Sequence, residues 1–178
     1  MSKHNGFTLL ELMITLAIAA ILATMAVPSF SNVIKNNRMA TQYNELLTSL
    51  SIARSEAIKR GSPLVVCKSN DLSPPKCGGN WHDGWLVFVD ADNDGVFNAG
   101  GPDELVRIHS SLSGNNTLHY NRDKIKYSAN GLALGSTGTF TFCDDRGDNE
   151  SKGLKINITG RARKAVSGDA LASCLIAS

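Results

Sequence analysis

Two guanidinium groups stand close together near one end of the chain, in the run Gly160-Arg161-Ala162-Arg163-Lys164. Arg161 and Arg163 are two residues apart, so on an extended strand they point to the same face. A pair of guanidiniums on one face grips adjacent phosphates through bidentate hydrogen bonds. Gly160 frees the backbone to turn or to approach a ligand closely. From Lys152 to Ser178 the cations are Lys152, Lys155, Arg161, Arg163 and Lys164, set against the single carboxylate of Asp169, a net charge of +4. The whole chain carries only +2, so the basic stretch is local, the footprint expected for a polyanion. A charged edge strand that blocks aggregation would have the same composition. No Phe, Tyr or Trp follows Phe142, and no Asn or Gln follows Asn157. The tail therefore lacks side chains for base stacking or adenine readout, and the expected contacts are to phosphates, largely independent of sequence.

Other groupings point to weaker chemistry. Asp90, Asp92, Asp94 and Gly95 have the opening spacing of a calcium-binding EF-hand loop, but Gly101 stands where that loop needs a bidentate glutamate. Asp103 or Glu104 could close a different calcium loop, while an Asp-rich turn between strands accounts for the same residues. Asp144, Asp145, Asp148 and Glu150 surround Arg146 in a second acidic loop. It reads as a solvated turn, and with the Asp90 loop it makes one region acidic, which would orient an approaching duplex. His82, His109 and His119 fall in separate predicted segments, with no nucleophile motif or phosphate loop near them. No catalytic residue and no cofactor are expected.

The elements that must position these groups begin with one apolar run. Phe7–Val27 carries a single charge, Glu11, and as a helix it would span roughly 30 Å, a bilayer core. Lys3, ahead of the run, would hold that end in the cytoplasm, and the rest of the chain would lie outside it. Residues 23–26 could serve as a secretory cleavage site, but a carboxylate inside the apolar run is costly and demands a partner cation. Export favours disulfides. Cys67, Cys77, Cys143 and Cys174 allow three pairings. Nearness in sequence favours Cys67 with Cys77, leaving Cys143 with Cys174, and neither spacing suits zinc. Four buried free thiols are the cytosolic counterpart of the same count.

Gly6-Phe7-Thr8-Leu9-Leu10-Glu11 resembles the processing site of type IV pilins and type II secretion pseudopilins. The resemblance implies a leader, residues 1–6, removed by a membrane peptidase between Gly6 and Phe7, and methylation of the new amine. It also implies that the Glu11 carboxylate pairs with the ammonium of a neighbouring subunit in a filament. Past Pro28, which would bend or loosen a helix, residues 29–61 keep apolar positions at three- and four-residue steps. Gly61 and Pro63 mark the stop. A helix over Phe7–Arg60 would be roughly 80 Å long.

Residues 62–178 read as short strands between turn clusters. They are expected at Leu64–Cys67, Trp85–Asp90, Leu105–His109, Leu118–Asn121, Lys124–Tyr127, Thr139–Cys143, Leu154–Ile158 and Arg161–Val166. Trp85–Val89 is continuously apolar, as for a strand buried on both faces; Lys155–Ile158 alternates, as for a half-exposed one. The expected fold is α+β and type IV pilin-like: a long N-terminal helix packed on a mostly antiparallel two-sheet β-domain.

This layout, with Ser55–Gly61 and Gly84–Asp90, is similar to the GspH, FimT and FimU branch of minor pilins and pseudopilins. Membership would imply a scarce subunit at or near a filament tip, held in the bacterial inner membrane before assembly. Its partners would be other pilin subunits, the prepilin peptidase and, for FimT-type members, DNA taken up in natural transformation through a C-terminal Gly-Arg-x-Arg motif. Gly160, Arg161 and Arg163 occupy that motif here. The other reading is a minor pilin or GspH-like pseudopilin that starts or caps a pilus or secretion pseudopilus without touching DNA.

Overall fold

The computed structural model describes residues 7–174, without the side chains of residues 25–29 and Leu72. The expected leader, with Gly6 of the processing junction, lies outside the described residues. The chain divides between Arg38 and Met39 into two compact units.

Helix α1 runs over Leu9–Arg60. Thr8 caps it: the Glu11 backbone N–H donates to Thr8 Oγ1 at 3.2 Å, and the Leu12 N–H donates to the Thr8 carbonyl. Thr-x-x-Glu is a helix-start signature, and a carboxylate in the first turn suits the helix dipole. Glu11 thus has a local reason to stand in an apolar run. In the first unit the described side chains from Phe7 to Thr24 are exposed. Among the described residues no helix is long and apolar enough to cross a membrane. The expected span closes on Met25–Val27, whose side chains are not described.

The second unit holds every buried residue among those described. Ten strands follow α1: β1 Leu64–Lys68, β2 Asp71–Leu72, β3 Pro75–Lys76, β4 Trp85–Val89, β5 Glu104–His109, β6 Thr117–His119, β7 Lys124–Tyr127, β8 Gly138–Cys143, β9 Lys152–Ile156 and β10 Ala162–Lys164. They form two four-stranded sheets, ordered β5-β4-β1-β7 and β10-β9-β8-β6, and a hairpin of β2 with β3. Each ladder is antiparallel.

One stripe of α1 supplies the core between them. Met39, Leu46, Leu50, Ala53 and Ala57 join one cluster with Leu64, Val66, Trp85, Val87 and Ile125 of the first sheet and Phe140, Phe142, Leu154 and Ile156 of the second. Steps of three, four and seven put these helix residues on one face, and burying each leucine is worth about 1.5–3 kcal/mol. On the far side of the first sheet, Val65, Cys67, Leu86 and Phe88 pack with Cys77, Phe97 and Leu105. β4 is therefore buried on both faces, as its continuous apolar run predicts. His109 ties β5 to the helix: its ring stacks on Trp85 at 3.8 Å, and its Nε2 lies 3.0 Å from Glu45 Oε2.

Both expected disulfides are present, Cys67–Cys77 and Cys143–Cys174. The first closes the β2–β3 hairpin, which the sequence reading missed because each strand is only two residues long. β9 stops at Ile156 rather than Ile158, because a turn intervenes: the Gly160 N–H donates to the Asn157 carbonyl at 2.8 Å and the Asn157 N–H to the Arg161 carbonyl at 3.1 Å. Ile158 consequently lies outside the strand and is 56% exposed. β10 is correspondingly shorter than expected. Leu50→Ala should lower unfolding free energy by about 2–5 kcal/mol, measured as a shift of the denaturant midpoint of the full chain in detergent.

Candidate functional site

The Gly-Arg-x-Arg run is the turn into edge strand β10. Its glycine is demanded by the fold. Gly160 is buried with φ +73°, and a β-carbon there would run into the Gly131 carbonyl oxygen and stand 3.1 Å from Arg54 Nε and the Tyr127 ring. Gly131, at φ +76°, is constrained less tightly: its own β-carbon would meet the Ile58 side chain, which can move aside. Arg54, on α1, joins the two loops by donating from Nε to the carbonyls of Gly131 at 3.2 Å and Thr159 at 3.3 Å. Burial pushes the nearby Tyr127 phenol above its ordinary range.

Beyond this anchor the six expected basic residues divide. Arg163 pairs across the ladder with Lys155, and Lys164 with Leu154. Partners in register share a face, so Arg163 and Lys155 occupy the face away from buried Leu154 and Ile156. Lys152 and Lys164 have the opposite parity. Arg161 precedes the strand and is exposed; among the described residues its guanidinium has no ion-pair partner.

Arg163 is engaged. Its Nη1 lies 2.8 Å from Asp169 Oδ2, and Lys155 Nζ lies 3.8 Å from the other carboxylate oxygen. The Arg163 hydrogen bond, then a Val166 backbone N–H, hold the Asp169 carboxyl below the ordinary aspartate range. The carboxylate is thereby favoured in its ionised form, and a phosphodiester would have to displace it. The sequence signal for this contact was that Asp169 is the only acid in the tail. The segment after it is strapped down: the Ala172 N–H donates to Thr141 Oγ1 at 2.9 Å, Cys174 bonds covalently to Cys143, and the Cys174 N–H donates to Asp148.

The acidic loops are differently built from the expectation. In the first, Asp90 is fully buried and paired with Lys126 Nζ at 2.6 Å. It also accepts from the Gly95 N–H at 3.1 Å, while Asp94 accepts from the Val96 N–H. The carboxylates that converge are Asp90, Asp92 and Asp103, so Asp103, and not Asp94, completes the group. In the second loop Asp144 is not solvated: its side chain is 2% exposed and meets Arg146 Nη2 at 2.6 Å. Both loops spend charge on internal cations, so the expected broad acidic face is weakened.

A cleft of about 1000 Å³ lies beside Lys155. Lys68, His82, His119, Tyr120 and Leu171 also line it. Burial, then neighbouring His82, hold the His119 imidazole below its ordinary value, so it is neutral at pH 7. The Tyr120 phenol, pushed up to about 12 by burial, donates to the Ser136 carbonyl at 2.7 Å. This cleft joins β1, β6, β8, β9 and the tail, and no short sequence motif announces it.

A long N-terminal helix whose second half cores two antiparallel sheets, headed by a processing-type Gly-Phe-Thr-Leu-Leu-Glu run, defines a pilin-like protein. Residues 1–27 match the prokaryotic N-terminal methylation motif, and residues 42–160 match type II transport protein GspH. The second match covers more than half of the chain, which belongs to the GspH family. It ends at Gly160, so Arg161, Arg163 and Lys164 lie beyond it.

Among solved structures, the type IV minor pilin FimU of Pseudomonas aeruginosa superposes with a TM-score of 0.59 over 79% of this chain and 97% of that one, at 23% identity. A second crystal form gives 0.53 over 74% and 95%. At this identity the likeness is one of fold. A probable minor fimbrial protein of Dichelobacter nodosus is 31% identical over 45% of this chain and 50% of its own length. The type IV major fimbrial protein FimA of the same organism is 37% identical over 41% and 42%. The chain thus spans about half the length of these relatives or less.

Gly160→Ala should cost about 1–3 kcal/mol through left-handed backbone strain alone, with the clash against Gly131 added. The expected readout is a lower melting temperature for the full chain in detergent; an unchanged one would mean that the turn relaxes freely.

Proposed function

We propose that this protein is a minor pilin of a type IV pilus that binds extracellular DNA, in the manner of FimT-type subunits in natural transformation. Arg161 carries the reading: an exposed guanidinium on a rigidly anchored turn, without an ion-pair partner among the described residues, beside Arg163 on an edge strand. Protection of an edge strand needs only a charge, whereas neighbouring guanidiniums suit the bidentate geometry of phosphate. Arg163 and Lys155 add to it when a phosphate displaces Asp169. Because each contact is to backbone phosphate, affinity is largely independent of sequence. It is weak per subunit, which suits capture followed by release.

The N-terminal segment handles delivery. The leader is removed between Gly6 and Phe7 by a prepilin peptidase, and the new amine is methylated. Phe7–Val27 holds the single-pass subunit in the inner membrane until it is drawn into a filament, at or near the tip. There Glu11 pairs with a neighbouring subunit's ammonium while Thr8 keeps the helix start formed. Neighbouring pilin subunits are its other partners. The GspH match favours a second reading, a subunit that starts or caps a pilus or secretion pseudopilus and touches only other subunits.

Substitution of both arginines separates the two readings. Arg161→Ala with Arg163→Ala should abolish duplex binding by the full chain in detergent, with the melting temperature nearly unchanged. Asp169→Asn, which frees Arg163 and Lys155, should tighten binding. Fluorescence anisotropy measures both. Wild-type affinity in the double variant would remove the arginines from the site and leave the filament-only reading.

A further inference from the structure

The cleft beside Lys155 has the chemistry of a nucleotide site. Among the described residues that line it there is no carboxylate, although the chain contains sixteen acidic residues. Lys68 from β1 and Lys155 from β9 bring positive charge to it, and His82 and His119 add two imidazoles. His82 Nδ1 has no hydrogen-bond partner among the described residues, as is also true of Trp85 Nε1 and the Tyr127 hydroxyl in the core. Three carboxylates outside the lining neutralise part of this charge: Asp123 lies 2.8 Å from Lys68, Asp169, whose side chain is 12% exposed, 3.8 Å from Lys155, and Asp83 3.9 Å from His82 Nε2. Asp123 is 84% exposed, and such surface pairs are weak enough for an incoming anion to displace.

The remaining wall is suited to a base and sugar. Leu118, Leu171 and the Tyr120 ring supply apolar surface, and Asn80, Asn121 and Thr139 supply donors and acceptors. The mix of apolar wall and a few convergent polar groups is that of a small-molecule site. A volume of about 1000 Å³ is of the size that holds a small molecule. Lys155 belongs both to this cleft and, through its pairing with Arg163, to the arginine strand.

We propose that the cleft takes an unpaired nucleotide at a DNA end or in a frayed strand, its phosphate toward His82, His119 and Lys155 and its base against Leu171 and Tyr120, while Arg161 and Arg163 hold the adjoining backbone. The second half of this statement rests on the DNA reading of the arginine strand; the first does not. It gives the protein a preference for ends and overhangs over continuous duplex, and it supplies the base contact that the tail sequence lacks.

The test uses the full chain in detergent micelles with isotope-labelled histidine rings, four in the sequence. Deoxyadenosine monophosphate and an overhang duplex should shift the His82 and His119 resonances and leave His109 in place. His82→Gln with His119→Gln should weaken overhang binding by about tenfold and leave blunt-duplex binding unchanged. Unmoved His82 and His119 signals overturn the cleft assignment even if the arginine variant loses duplex binding. Equal shifts with inorganic phosphate alone overturn the nucleotide assignment. If the arginine variant keeps duplex affinity while the nucleotide still shifts both histidines, the arginine-strand reading falls and the cleft stands. The wild-type titration decides the matter should the histidine variants fail to fold.

Discussion

One buried stripe of α1 holds the domain together. Met39, Leu46, Leu50, Ala53 and Ala57 are at most 1% exposed, and both sheets pack on them in a single cluster. The far side of the first sheet carries a smaller cluster, in which Cys77, Phe97 and Leu105 pack on Val65, Cys67, Leu86 and Phe88. Ala53 and Ala57 are as completely buried there as Leu46 and Leu50. The same helix turn carries Arg54 outward, where its Nε joins the Gly131 and Thr159 carbonyls. The position of the arginine strand is thus inherited from the helix, through two glycines that leave room for backbone against backbone.

On that frame the electrostatics are local. Asp90 is consumed by Lys126, Asp144 by Arg146, and Asp169 by Arg163. Long-range steering by acidic loops is small under these conditions, and screening in salt reduces it further. Among the described residues of the tail, Arg161 and Lys164 are exposed without an ion pair, with Arg163 and Lys155 held in reserve by the Asp169 carboxylate. A phosphate that enters must replace Asp169 rather than fill an empty space. Binding built this way is reversible, as a subunit that captures and then hands on a polymer requires.

Local patterns were legible in the sequence where a residue's neighbours in the chain decide its state. Gly61 and Pro63 stop the helix, and the Trp85–Val89 run is buried on both faces. Nearness in sequence named both disulfides. Thr8 and Glu11 carried a helix-cap signature inside a motif read for processing and for pairing between subunits. What could not be read depends on contacts between distant segments. Gly160 was read as freedom to turn or to approach a ligand; the turn is there, but Gly131, twenty-nine positions earlier, is what stands against it. Asp103, one of the two residues named as able to close the Asp90 loop, is the one that joins Asp90 and Asp92, and the choice over Glu104 and Asp94 is made by the path of the loop. The cleft collects residues from Lys68 to Ser173, and no window of sequence contains it.

The central claim is that exposed guanidinium and ammonium groups at the end of the domain bind DNA through its phosphates. Its most direct measurement is the affinity of the full chain in detergent for duplex DNA at two salt concentrations. Neutralising three to four phosphates gives a slope of log K against log salt of about −3, with the same value for unrelated sequences. Binding that is indifferent to salt, or no binding at the lower salt, would contradict it.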